Sequence, residues 1–462
     1  MIKKGFLILI LISVFATAGY LYVENILSDE QLEEQPQVEE PDKEDKLSKS
    51  DQEGVEENIN AFDIEDDFRI TEESEEKEEK DTEIAALNQK QVAEKLEKIG
   101  SKKENTVLEQ YESKLPEAIN ERLEYLDYNI SFYYFLITAE EDIQVYETPA
   151  PDGSIKEELQ HLDKVSLLQR VEGKELNESD IWYRIVFEDN GVIKDGYVHS
   201  TKGKTRKFRF NKMAEGINEL EEELAEGTMH FVVNYKNHSG TPPQDGDIAV
   251  DEYGYRVYHS APVYQEADQD SEYRYAPDGI LVRILAEVDD FYHVYIPTFE
   301  DNYYIPQQYI ESEEEFNELE QVIVVDREQQ NQAAFEVGED MELVSYTLST
   351  TGIPGDYSFE TTLGSYKILQ KRDRFEYLKS GAEKIGGYAP FGIRFTGGAY
   401  IHGVPVEYEE ENGEMIDPGM IEYLHTIGTF PRSNMCVRNF TSHAEFLYHW
   451  LDTEKSAVIV IE

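Results

Sequence analysis

At 462 residues the chain has room for several domains, and its 40% hydrophobic content is ordinary for globular protein. Its 98 acidic and 42 basic residues leave a net charge of −56, which argues against a nucleic-acid partner because phosphate is repelled. The single cysteine, Cys436, excludes an internal disulfide, so packing alone must hold the fold.

In chain order, Lys3 and Lys4 precede residues 5–23, a run of 19 residues without charge that Glu24 closes. As a helix this run is about 28 Å long, close to the ~30 Å hydrocarbon core of a bilayer. The two lysines favour the cytoplasmic side and place the rest of the chain outside. Ala16-Thr17-Ala18 also fits a small-x-small cleavage site. Residues 1–28 are therefore read as a transmembrane helix or a removed signal, and either exports the chain. Residues 29–83 hold 25 acidic and 6 basic residues, a net of −19, with too little apolar surface to fold. They read as a disordered acidic linker with a mean reach of roughly 40 Å, extended further by self-repulsion.

Residues 84–130 change texture. Val92, Leu96 and Ile99, then Leu108, Tyr111 and Leu115, then Ile119, Leu123 and Leu126 recur at helical spacing. This predicts two or three short helices, a helical stalk. From Phe135 the texture becomes β. Val145-Tyr146, Trp182-Tyr183 and Gly196-Tyr197-Val198 are echoed by Val257-Tyr258, Phe291-Tyr292 and Tyr303-Tyr304-Ile305. Phe-Glu-Asp-Asn occurs at both 187–190 and 299–302. This weak repeat resembles bacterial SH3-like domains, small β-barrels that bind wall peptides or act as spacers. The first spans 131–205. Residues 206–311 hold a connector, with an amphipathic stretch at 213–224, and the second.

Residues 320–462 read as a mostly antiparallel β domain. Its strands are expected at 321–326, 342–349, 364–369, 393–396, 400–401 and 457–461. One helix is signalled near the end, with Ser442 as its cap, Glu445 completing a capping box, and Phe446, Leu447, Trp450 and Leu451 as its apolar face.

A thiol attacks a carbonyl only as thiolate, and a neighbouring histidine can take its proton. Upstream of Cys436 in its own domain, two histidines are best placed for this, His402 and His425. His402 ends a strand beside Gly403, where a loop can present the ring to a cleft and a backbone carbonyl can hold its tautomer. His425 sits in a helix-like stretch and serves equally as a surface or core residue. A buried structural thiol is the alternative reading of Cys436. The chain lacks His-Glu-x-x-His, and one cysteine cannot supply a thiolate cluster, so no metal or cofactor is expected.

These motifs resemble the YkuD-type L,D-transpeptidase catalytic domain over the last 140 or so residues. The resemblance rests on Ser349-Thr350-Thr351-Gly352, Thr361-Thr362-Leu363-Gly364-Ser365-Tyr366, Ile401-His402-Gly403-Val404-Pro405, Ile427-Gly428 and Ser433-Asn434-Met435-Cys436-Val437-Arg438. It implies a β-sandwich-like catalytic domain that cross-links peptidoglycan peptide stems through a cysteine thioester. Cys436 is then the nucleophile and His402 the base. Backbone N–H groups near Met435 and Cys436 would hold the oxyanion, and Arg438 would grip a substrate carboxylate or brace the loop. Ser433 would orient the loop or contact substrate. The chain departs from the family where Asn434 and Met435 replace a histidine and a glycine, and where Thr362 replaces a proline. Asparagine can stand in for a hydrogen-bonding histidine, and Met435 is expected to need an ordinary backbone conformation. The expected whole is a single-pass membrane protein working at the cell wall, or a secreted one. A weakly active or inactive wall-binding homologue and a sortase-like transpeptidase remain the alternatives. Against the sortase, no Thr-Leu-x-Thr-Cys strand precedes Cys436.

Overall fold

The computed structural model of the protein describes residues 64–69, 84–99 and 106–462, apart from 245, 247–248, 356–357, 379–383 and 412. The expected anchor at 1–28 lies outside the described residues, as does all of the acidic linker except 64–69. Among the described residues no helix is long and apolar enough to cross a membrane. Residues 64–69 form strand β1 (Ile64–Arg69).

The helical stalk is corrected. Between 84 and 130 the described residues hold one helix, α1 (Gln89–Ile99), flanked by Ile84–Ala86 and Val107–Gln110, and then β2 (Ile119–Glu121). All three flanking segments are edge strands laid on ladders built elsewhere. The spacing of Leu108 and Tyr111 misleads because Leu108 is 46% exposed while Tyr111 enters a sheet core. Long-range pairing overrides local periodicity here.

Seven strands between Tyr133 and Lys207 form an antiparallel sheet that includes the long β3 (Lys164–Leu176). Seven more between Met229 and Phe316 form a second. Numbered within each sheet, the spatial order is 7-1-4-5-6-2-3 in both, so the weak repeat is a duplicated topology. Phe-Glu-Asp-Asn marks the same connection, between the fifth and sixth strands, in each. The first copy turns through Asn190-Gly191, both at positive φ, as a two-residue hairpin requires. The second turns through Pro297–Phe299 with Glu300 left-handed.

The sheets are joined by α2 (Phe210–Glu226), which matches the amphipathic stretch. It buries Phe210, Met213, Ile217 and Leu220, each contributing about 1.5–3 kcal/mol as an upper estimate. These side chains do not form a core of their own. Phe132, Tyr134, Phe210 and Met213 pack with Val322, Phe335, Leu343 and Tyr346 of the last domain. Likewise Val232, Val282 and Val294 of the second sheet share a core with Ile323, Ile393, Ile401 and Val437. All described residues lie in one compact unit, 59–462.

Among the described residues the last domain has a two-stranded sheet, Glu409–Glu411 with Glu414–Ile416, and two large ones. One runs Gly364–Lys367, Ser456–Ile461, Gln321–Asp326, Asn331–Val337 and β4 (Met341–Leu348), and β2 adds to its β4 edge in parallel. The other contains β5 (Gln370–Leu378), β6 (Ile385–Thr396), β7 (Ala399–His402) and β8 (Val437–Arg438). β1 adds to its β5 edge, also in parallel. Helix α3 spans Thr441–Trp450. Its expected cap is corrected: Ser442 lies inside the helix, and the residue before it, Phe440, makes no side-chain cap. Glu422 does the capping from another segment, accepting from the Ser442 N–H at 2.9 Å and from its hydroxyl. A carboxylate at a helix N-terminus also complements the macrodipole.

Candidate active site

β7 and β8 pair in parallel, Ile401 opposite Val437 and His402 opposite Arg438. Cys436 immediately precedes β8. The pairing therefore sets His402 and Cys436 on neighbouring chains two residues out of step, about 8 Å between Cα atoms. Both are fully buried. Phe375 links them: its ring meets the His402 ring edge-on at 5.6 Å, and it clusters with Cys436, Tyr377, Ala389 and Tyr400. The Cys436 Sγ accepts from the Tyr400 N–H at 3.4 Å.

His402 Nδ1 lies 2.6 Å from Gly403 O. A carbonyl only accepts, so Nδ1 carries the hydrogen and Nε2 keeps its lone pair. The tautomer is thus set by a backbone carbonyl, as expected from the glycine context. Gly403 is closely packed: a Cβ there would sit 3.0 Å from Pro390 Cγ and 3.1 Å from Thr441 Cα. Burial pushes the His402 pKa from 6.5 down to about 3; Arg438 adds to this and the Gly403 carbonyl opposes it. The imidazole is neutral at neutral pH.

The cysteine segment is stapled from three sides. Arg432 and Ser433 donate their N–H groups to Thr351 O at 2.9 and 3.1 Å. Thr350 and Arg438 exchange two backbone bonds at 3.0 and 2.9 Å. The Met435 N–H donates to Phe359 O at 2.8 Å, and Thr361 Oγ1 donates to Met435 O at 2.8 Å. Ser433 Oγ donates to Cys436 O, within the same loop. Asn434 Oδ1 accepts from the Phe359 N–H at 2.9 Å, so asparagine supports the loop through its side chain. Sequence reasoning missed Phe359 and Gln330, which ties down Thr351; both act through groups distant in sequence.

One expectation is overturned. Met435 does not have an ordinary backbone conformation; its φ is +63°. The Cys436 N–H donates back to Asn434 O at 2.8 Å, closing a tight turn around Met435. A left-handed non-glycine residue costs about 1–2 kcal/mol. The Met435 side chain is 5% exposed and belongs to the shared core, and losing such a side chain costs about 2–5 kcal/mol. Burial outweighs strain. Met435→Gly is therefore expected to lower stability by about 1–3 kcal/mol while keeping the turn, as denaturant unfolding would read.

The structure separates the two histidine candidates. His425 turns to the first sheet, its Nε2 donating to His161 O at 3.1 Å, whereas His402 shares Phe375 with the cysteine. Arg438 is buried beside His402, and its charge acts on that ring.

Residues 320–460 match the family model of YkuD, the L,D-transpeptidase catalytic domain. Among solved structures, an L,D-transpeptidase from Mycobacterium smegmatis is 15% identical; the match covers 39% of this chain and 82% of that one, with a TM-score of 0.26. An L,D-transpeptidase from Stackebrandtia nassauensis is 21% identical over 31% of this chain and 55% of that one, with a TM-score of 0.22. A fused Zn-dependent amidase/peptidase/peptidoglycan-binding domain-containing protein from Clostridium acetobutylicum is 13% identical over 31% and 52%, with a TM-score of 0.21. The chain spans about half the length of the last two. No curated protein matches the chain.

Proposed function

We propose that this protein is a peptidoglycan L,D-transpeptidase that works outside the cell, held at the membrane by residues 1–28, with Cys436 as nucleophile and His402 as base. The observation that supports this reading is the parallel pairing of β7 with β8, Ile401 opposite Val437 and His402 opposite Arg438, within the stretch that matches the family model.

The Cys436 thiol proton passes to His402 Nε2, and Sγ attacks the carbonyl between the diamino acid and the terminal D-Ala of a tetrapeptide stem. The tetrahedral intermediate collapses, His402 protonates the leaving amine, and D-Ala departs from a thioester. An amine of a second stem then attacks the thioester, restoring the thiol and forming a three-to-three cross-link. An oxyanion needs backbone donors. The Cys436 N–H, held at the turn around Met435, is the candidate donor. The two upstream sheets are read as SH3-like domains. A weakly active homologue is the second reading, favoured by the full burial of Cys436.

Incubation with disaccharide-tetrapeptide is expected to release D-Ala and give the cross-linked dimer by mass spectrometry. A carbapenem is expected to add its mass to the protein. Cys436→Ala should abolish both. Dimer formation by Cys436→Ala would sink the assignment; a carbapenem adduct without dimer would favour the weakened homologue.

A further inference from the structure

In a chain this acidic, three cations of the first sheet converge on one backbone stretch of the last domain. Lys164, at the start of β3, donates from Nζ to His425 O at 2.6 Å. Arg206 Nη2 donates to Thr429 O at 3.2 Å. Lys204 Nζ lies 5.7 Å from the Phe430 ring centroid. The His425 ring is held in turn by His161 O, with Asp163 Oδ1 3.9 Å away.

Residues 425–430 run directly into the segment of Cys436. Their other side is fixed by Thr350, whose Oγ1 donates to Thr426 O at 3.2 Å and accepts from the Gly428 N–H at 3.0 Å. Thr350 is the residue whose backbone pairs with Arg438. A chain of bonds thus leads from Lys164 to the strand that follows the cysteine. An ammonium in such a largely buried place is costly unless its hydrogen bonds are needed there. Burial pushes the Lys164 pKa down to about 7, with Asp163 opposing and Arg432 adding.

We infer that Lys164 is a positioning residue for the cysteine segment: by holding His425 O it makes the first upstream sheet part of the site rather than a spacer. The inference rests on the reading of Cys436 as nucleophile, but its test does not. Cys436 is the chain's only cysteine, so thiol alkylation reports on that position alone.

In the full chain, Lys164→Met is expected to raise the rate of Cys436 alkylation by iodoacetamide at least about 10-fold. Carbapenem acylation should fall at least about 10-fold, by more than any drop in melting temperature accounts for. Lys164→Arg should restore wild-type behaviour, and Lys95→Met, which breaks the Lys95–Asp195 pair elsewhere on that domain, should leave both rates unchanged. Unchanged rates in Lys164→Met overturn the inference, as does a loss of rate that merely tracks a lowered melting temperature. If the wild type is not acylated but Lys164→Met is alkylated faster, the enzymatic reading fails and the clamp stands. Should Lys164→Met not fold, Arg206→Met carries the same pair of expected changes, and no change there overturns the inference.

Discussion

His402→Gln is expected to slow carbapenem acylation of Cys436 by about 10²–10⁴-fold, the usual contribution of a positioned general base. The substitution removes the Nε2 lone pair proposed to take the thiol proton. The same substitution has a second readout. His402 and His443 are both buried and both held neutral, their pKa values pushed by burial from 6.5 down to about 3. For a base whose folded pKa is depressed, the unfolded chain binds the extra proton as pH falls. The stability contribution is complete above pH 6.5 and is lost progressively toward pH 3, by about 1.4 kcal/mol per pH unit for each histidine. His402→Gln removes one of the two. Between pH 7 and 5 its unfolding free energy should fall by about 2 kcal/mol less than that of wild type. Equal acid sensitivity in the two proteins would mean that His402 is not buried as described.

The candidate residues His402 and Cys436 could be picked out because they sit in short local motifs. His402 before Gly403 and Cys436 between Ser433 and Arg438 need only a strand end and a tight loop. The duplicated sheets were legible from aromatic spacing, since alternation is a local property of a strand. What escaped was every feature set by a partner far away in sequence. Ser442 carries a capping signature, yet Glu422 caps that helix from another segment. Lys164 looks like a surface lysine at a strand start, and only the approach of 425–430 makes it otherwise. Residues 107–110 have no inward face at all and become a strand because β3 offers an open edge.

The domains also read as separate modules on a stalk, because each has its own strand pattern. The shared cores argue otherwise. Tyr346 of the last domain packs edge-on against Phe132 and Phe208, which flank the first sheet, at 5.2 and 5.0 Å. Tyr128 stacks on Phe440 at 4.1 Å, just past the cysteine segment. Removing the upstream residues would strip apolar cover from the domain that carries Cys436, so the 320–460 stretch has no free-standing core in this chain.

Gly352→Ala is expected to damage the cysteine segment directly. A Cβ at Gly352 would lie 2.4 Å from Phe359 O, 2.7 Å from Met435 N and 2.8 Å from Met435 Cα. All three are backbone atoms, so no rotamer change relieves the clash. The Met435 N–H and Phe359 O are themselves bonded to one another, and the Gly352 N–H is held by Thr361 Oγ1 at 2.8 Å. The three chains meet where they are least able to move apart. Overpacking typically costs about 1–3 kcal/mol, and the upper end applies because backbone must shift. The turn at Met435 gives way first, since it already carries strain. Gly352→Ala should therefore lower stability by about 3 kcal/mol in denaturant unfolding, speed alkylation of Cys436, and abolish its acylation. A variant as stable as wild type would show that the cysteine segment does not approach Gly352 this closely. A variant that is destabilised yet acylates normally would mean that the turn at Met435 is not what aims the thiol.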